Sequence, residues 1–113
     1  MQFEAKTLDS GVLHVTLAGR LDMEAAVKLE NPFTFRVASQ KAPVVVDLAA
    51  VDFIASIGFR LLLKNAKAQQ ARGGKLVLCQ PAPLVREALV MAGIGSLIPI
   101  HEDFEAACRE ALG

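Results

Sequence analysis

Among the side chains able to do chemistry, one serine stands out by its setting. In FIASIGFRLLL, Phe53 to Leu63, Ser56 opens an apolar helical run and stands two residues before Gly58. A serine so placed has three jobs open to it. It can cap the helix, because its oxygen accepts from the free N–H groups of the first turn. It can be a nucleophile if a base takes its proton, and His14 and His101 are the only histidines available. The glycine-flanked elbow of the hydrolases is missing as well, so that role is set aside. It can also accept a phosphate, since a helix start offers unpaired N–H groups and the positive end of a dipole.

The remaining candidates carry less. In α/β sheets, ligands and modified residues gather at the carboxyl ends of the strands. Asp47 is expected at the end of its strand, followed by AAVDFIAS as a loop; Gln80 and Asp22 are expected at the same edge. Asp22 reads equally well as a helix cap, and Asp52 as a loop or turn residue. A phosphoryl receiver would need an acidic pair after its first strand, an acceptor aspartate and a late lysine. VTLAGR ends without an acidic pair and no lysine follows Lys75, so the receiver and its Mg²⁺ site are rejected. Cys79 and Cys108 lack metal-ligand spacing and are expected to fill core space. No Walker or dinucleotide glycine loop occurs, so neither metal nor cofactor is expected, and no enzyme.

Composition narrows the classes further. With 113 residues, 53% hydrophobic and 21% charged, the chain has the make-up of one folded domain, residues 1–113. Twelve basic and twelve acidic side chains cancel, which removes the electrostatic footprint of a nucleic-acid binder. Trp and Tyr are absent, which weakens any picture of an aromatic stacking platform. No apolar run approaches the ~18 residues that would suggest a membrane span. MQFEAKTLDSG lacks the basic-then-apolar pattern of a signal peptide, and two cysteines suit a reducing compartment. A cytoplasmic location is expected.

The elements that must position Ser56 follow from periodicity and punctuation. FEAKTL and VLHVTLAG flank Asp9-Ser10-Gly11 as a hairpin, with Leu13, Val15 and Leu17 alternating against His14 and Thr16. Asp22 caps a short helix, which Asn31-Pro32 is expected to kink before a second helical stretch. Phe33 and Phe35 in that stretch suit either the core or a homodimer face. APVVVDLAAV is a strand buried on both faces, and SIGFRLLLKNAKAQQARGG is a helix. That helix should turn Ile57, Leu61, Leu62, Ala66 and Ala68 to Ala71 inward, and Gly73-Gly74 ends it. KLVLCQ is a strand, and PAPLVREALVMAGIG a helix that stops at Gly93. LIPI is an edge strand weakened by Pro99. HEDFEAACREAL closes as an amphipathic helix with Phe104, Ala107, Cys108 and Leu112 on one face. The order β-β-α-β-α-β-α-β-α predicts an α/β fold with a mixed sheet and right-handed crossovers.

Taken in order, VLHVTLAGRLD, PVVVDLAAVDFIASIGFRLLL, RGGKLVLCQPAPLVREALVMAGI and LIPIHEDFEAA resemble the STAS domain of the anti-sigma factor antagonists over nearly the whole chain. The resemblance implies a mixed four- or five-stranded sheet with about four or five helices and no catalysis. It implies an anti-sigma factor as partner, typically a serine kinase of the histidine-kinase-like ATPase superfamily. That kinase phosphorylates a serine at the start of the second main helix, and a metal-dependent serine/threonine phosphatase reverses the step. The family motif Asp-Ser-Ser/Thr-Gly falls on Ala55-Ser56-Ile57-Gly58: Ser56 and Gly58 match, whereas Ala55 and Ile57 depart. Asp22 in GRLD matches the aspartate of the family's Gly-x-Leu-Asp. The implied docking face comprises Asp22, Phe53, Ala55, Ser56, Ile57, Gly58 and Phe59, with Ser56 the phosphorylation site. A second reading from the same resemblance is a scaffold or accessory subunit that never switches, as in lipid-transport ABC systems or stressosome-type assemblies.

Overall fold

A hairpin opens the fold and hands its second strand to a run of strand–helix units. The computed structural model describes residues 1–113. It contains β1 (Gln2–Thr7), β2 (Leu13–Leu21), α1 (Met23–Ala38), β3 (Pro43–Ile54), α2 (Ser56–Ala71), β4 (Lys75–Cys79), α3 (Pro83–Met91), a 3₁₀ turn (Ile94–Ser96), β5 (Ile100–His101) and α4 (Phe104–Leu112). The five strands lie in sequence order β1-β2-β3-β4-β5. Only the β1–β2 pair is antiparallel; the others run parallel.

Strand alternation sorts the apolar residues onto two faces. Leu13, Val15, Leu17, Val44, Val46, Leu76 and Leu78 meet α1, α2 and α3 through Leu29, Phe33, Leu61, Leu62, Val85 and Leu89. The opposite face is covered by α4 alone, where Val45, Val77 and Cys79 meet Ala107 and Ala111. β3 and β4 are therefore apolar on both sides, as their β-branched runs predict.

Four expectations need correction. α1 is one continuous helix from Met23 to Ala38 that includes Pro32, not two helical stretches. Pro32 stands on the exposed face, so the carbonyl of Lys28 that loses its N–H partner faces solvent. β3 does not end at Asp47. It continues to Ile54, because β2 pairs alongside it from Ala18↔Ala50 to Leu21↔Ile54, whereas β4 leaves it at Asp47↔Cys79. The expected loop is thus a two-stranded ribbon projecting past the sheet, and Asp52 lies on a strand. The buried stripe of α2 is Gly58, Leu61, Leu62, Asn65 and Gln69; Ala71 is exposed. In α4 the covered positions are Phe104, Ala107, Cys108 and Ala111, with Leu112 outside. Of the two phenylalanines, Phe33 is core, packed 5.5 Å from Phe3, and Phe35 is 76% exposed and outside the core.

Candidate functional site

The projecting ribbon is what presents Ser56. Leu21 and Ile54 end β2 and β3 side by side, and each strand turns directly into a helix. The Ala55 N–H donates to the Leu21 carbonyl at 2.9 Å, which ties the two turns together. Two helix N-termini therefore open at one edge of the sheet, each with the positive end of its dipole outward. Asp22 occupies the first: its Oδ1 accepts from the Ala25 N–H at 2.9 Å and caps α1 as expected.

The second is capped differently from expectation. Ala55, extended at φ −84° and ψ 167°, is the N-cap of α2, and Ser56 is the first helical residue. Only the Ala55 carbonyl serves the first turn, accepting from Gly58 N–H at 2.8 Å and Phe59 N–H at 3.1 Å. Ala55 has no side-chain oxygen to add, and Ser56 has already turned into helical geometry, so its hydroxyl does not cap. The first turn carries no acidic residue. Ser56 itself is exposed, at the tip of the ribbon.

The neighbours of Ser56 divide by depth. Gly58 is buried, and a Cβ there would stand 2.9 Å from Ile54 Cγ2 and 2.9 Å from Leu21 Cγ. Its absence of a side chain lets α2 rest on the ends of β2 and β3. Gly58 thus supports the site from beneath rather than facing a partner. Ile57 and Phe59 are half-buried against the core. Phe53 is 39% exposed and lies under the Arg20 guanidinium, 4.4 Å from ring centre to Cζ. Arg20 pairs with Phe53 across the strands, a cation–π contact that holds both on the same edge. Arg20 went unremarked in the sequence, although it sits inside GRLD beside Asp22. An open groove of about 650 Å³ runs from Arg20 and Asp22 past Lys28 to Phe3.

The other titratable groups lie elsewhere. His14 sits on the α4 side of the sheet, its Nε2 3.6 Å from Asp47 Oδ2 and its ring 4.5 Å from Phe104. Asp47 also accepts from the Ala49 N–H at 2.9 Å. His101 contacts Glu110 at 3.3 Å. Neither imidazole approaches Ser56, so its hydroxyl has no general base. Burial pushes the Cys79 thiol up to about 12, with the Asp47 carboxylate adding to it, and burial raises Cys108 too. Both thiols are free and held in the unreactive form. Gln80, just past β4, adopts φ 55° in the loop to α3 and stands apart from the serine.

The fold and this edge together define an α/β domain that offers a hydroxyl at a helix start with no catalytic partner beside it. A family model for the STAS domain matches residues 3–107, and the chain belongs to that family. It is 36% identical over 97 residues to BtrV of Bordetella bronchiseptica, assigned as an anti-sigma factor antagonist, covering 86% of this chain and 84% of that one. A Thermotoga maritima protein assigned to the same class superposes with a TM-score of 0.88 at 19% identity, over 98% and 95% of the two chains. The antagonist SpoIIAA in its unphosphorylated form gives 0.77 at 21% identity over 96% of each. No helix is long and apolar enough to cross a membrane.

Proposed function

We propose that this protein is a cytoplasmic anti-sigma factor antagonist that switches partners through Ser56. Unphosphorylated, it docks on an anti-sigma factor with serine kinase activity of the histidine-kinase-like ATPase superfamily. Phosphorylation of Ser56 releases it, and a serine/threonine phosphatase restores it. The observation that carries this reading is the placement of Ser56: exposed, first in α2, on a ribbon that projects beyond the sheet. Asp22, Phe53, Ala55, Ile57 and Phe59 surround it as the docking face, and Gly58 sets the height of the helix beneath.

The switch follows from electrostatics. A phosphate would add about −1.5 to −2 charge in the centre of that face. Two outward helix dipoles favour the charge in the free protein, whereas a partner that covers it unpaired loses several kcal/mol. Ala55 removes one carboxylate from beside the phosphate, and Ile57 makes the face more apolar, which suits protein contact.

Titration calorimetry with the cognate kinase tests the proposal. Wild type and Ser56→Ala should bind alike, and Ser56→Asp should bind on the order of a hundredfold more weakly, from ~3 kcal/mol of unpaired charge. Equal affinity for all three would favour the non-switching scaffold. Phosphopeptide mapping after incubation with kinase and ATP should place the phosphate on Ser56; phosphate elsewhere and none there would reject the site.

A further inference from the structure

β1 is an edge strand whose outer side has no partner, and its own sequence is complementary to itself. β1 pairs with β2 on one side only, in the register Gln2↔Ala18 to Thr7↔Leu13. Just beyond, Leu8 N–H donates to the Val12 carbonyl at 2.8 Å, which continues that register. In an antiparallel ladder, bonded and non-bonded pairs alternate. Leu8, Lys6, Glu4 and Gln2 therefore direct their backbone groups toward β2. Thr7, Ala5 and Phe3 direct theirs outward, where no strand receives them.

Those three residues are spaced for pairing with a second β1 about a two-fold axis at Ala5. In that register Ala5 bonds to Ala5 of the other copy, and Phe3 to Thr7. All the outward N–H and C=O groups of Phe3, Ala5 and Thr7 are satisfied, by parity rather than by adjustment. The intervening positions then set Glu4 opposite Lys6 of the other copy, twice, once on each side of the axis. Both are exposed in the single chain and neither has an ion-pair partner. They share the face away from the main core, since Phe3 and Ala5 pack toward it. A lysine on an edge strand ordinarily discourages pairing, but here each lysine meets a glutamate.

We infer that β1 is a homodimer interface, joining two sheets into one ten-stranded sheet with a Glu4–Lys6 pair on either side of the axis. This surface differs from the one around Phe35 that the sequence suggested, and it does not depend on the role of Ser56.

Sedimentation velocity over a concentration series up to about 1 mM tests the inference, since an edge pairing of this size can bind that weakly. Wild type should dimerise. Glu4→Lys and Lys6→Glu each set like charges opposite one another twice and should weaken the dimer on the order of tenfold. The double swap Glu4→Lys/Lys6→Glu restores both opposite-charge pairs and should restore the dimer. An equimolar mixture of the two single variants should form a heterodimer about tenfold more tightly than either variant forms its homodimer. Ala5→Pro removes an N–H that β2 does not use, so it should keep the native circular dichroism and lose the dimer. A wild type monomeric throughout the series overturns the inference. So does a dimer that neither charge variant weakens.

Discussion

Gly58→Ala tests the idea that the position of Ser56 is set by how closely α2 approaches the strand ends. The added Cβ would stand 2.9 Å from Ile54 Cγ2, 2.9 Å from Leu21 Cγ and 3.0 Å from Leu21 Cδ2. That is roughly half an ångström inside ordinary carbon–carbon contact. The atoms it meets sit near the backbone and cannot swing aside as a long side chain would. The start of α2 must lift, at a cost of about 1–3 kcal/mol for overpacking. Alanine is a better helix former than glycine by about 1 kcal/mol, which offsets part of this. A net loss of up to about 2 kcal/mol remains, lowering Tm by as much as roughly 8 °C in a domain of this size. Urea unfolding measures it, and the Ser56 and Ile57 amide shifts report the displaced helix start. Gly95→Ala is the control, because its Cβ would find only Ile100 Cδ1 at 3.8 Å. If Gly58→Ala exceeds the wild type in stability and the Ser56 amide stays in place, the close-approach reasoning is wrong.

Three further outcomes are expected. Ala55→Asp supplies the missing cap oxygen at the start of α2 and should stabilise by about 0.5–2 kcal/mol in thermal melts; no gain would mean that the first turn is already satisfied. Gln69→Leu should cost about 2–4 kcal/mol in urea unfolding, because it strands the Ala42 N–H and the carbonyls of Val37 and Gln40, now bonded at 3.0, 2.7 and 2.7 Å. Glu110 is held below its ordinary value by hydrogen bonds from Lys75 and His101, so its contribution is present above about 4.5 and is lost as pH falls through its lowered folded value. Glu110→Gln should therefore flatten the acid limb of the stability–pH profile and leave its alkaline side unchanged; an unaltered acid limb would discount the contact.

Much of the frame was legible because local rules and tertiary demands agree. The alternation in LHVTL, the β-branched run before Asp47, the glycines ending α2 and α3, and the Asp22 cap all appear where the periodicity places them. Pro32 misled because a proline's effect depends on which way its side of the helix faces. The expected inward face of α2 omits Asn65 and Gln69, because polar residues in a helix ordinarily face water. Gln69 is instead buried as the strut between α2 and the segment from α1 to β3.

The candidate site divides along the same line. The residues of the candidate site are nominated by the sequence: a serine opening a helix, a glycine two residues on, and the GRLD aspartate that matches the family motif. How each is placed emerges only in the folded chain. The length of β3 depends on β2 pairing beyond the point where β4 leaves, which no local pattern in AAVDFI encodes. That ribbon carries Ser56 clear of the sheet, sets α1 and α2 opening side by side, and brings Arg20 over Phe53. Gly58 reads in the sequence as part of a motif. Its reason, two strand ends within 3 Å of an absent Cβ, exists only once the helix has been laid against them.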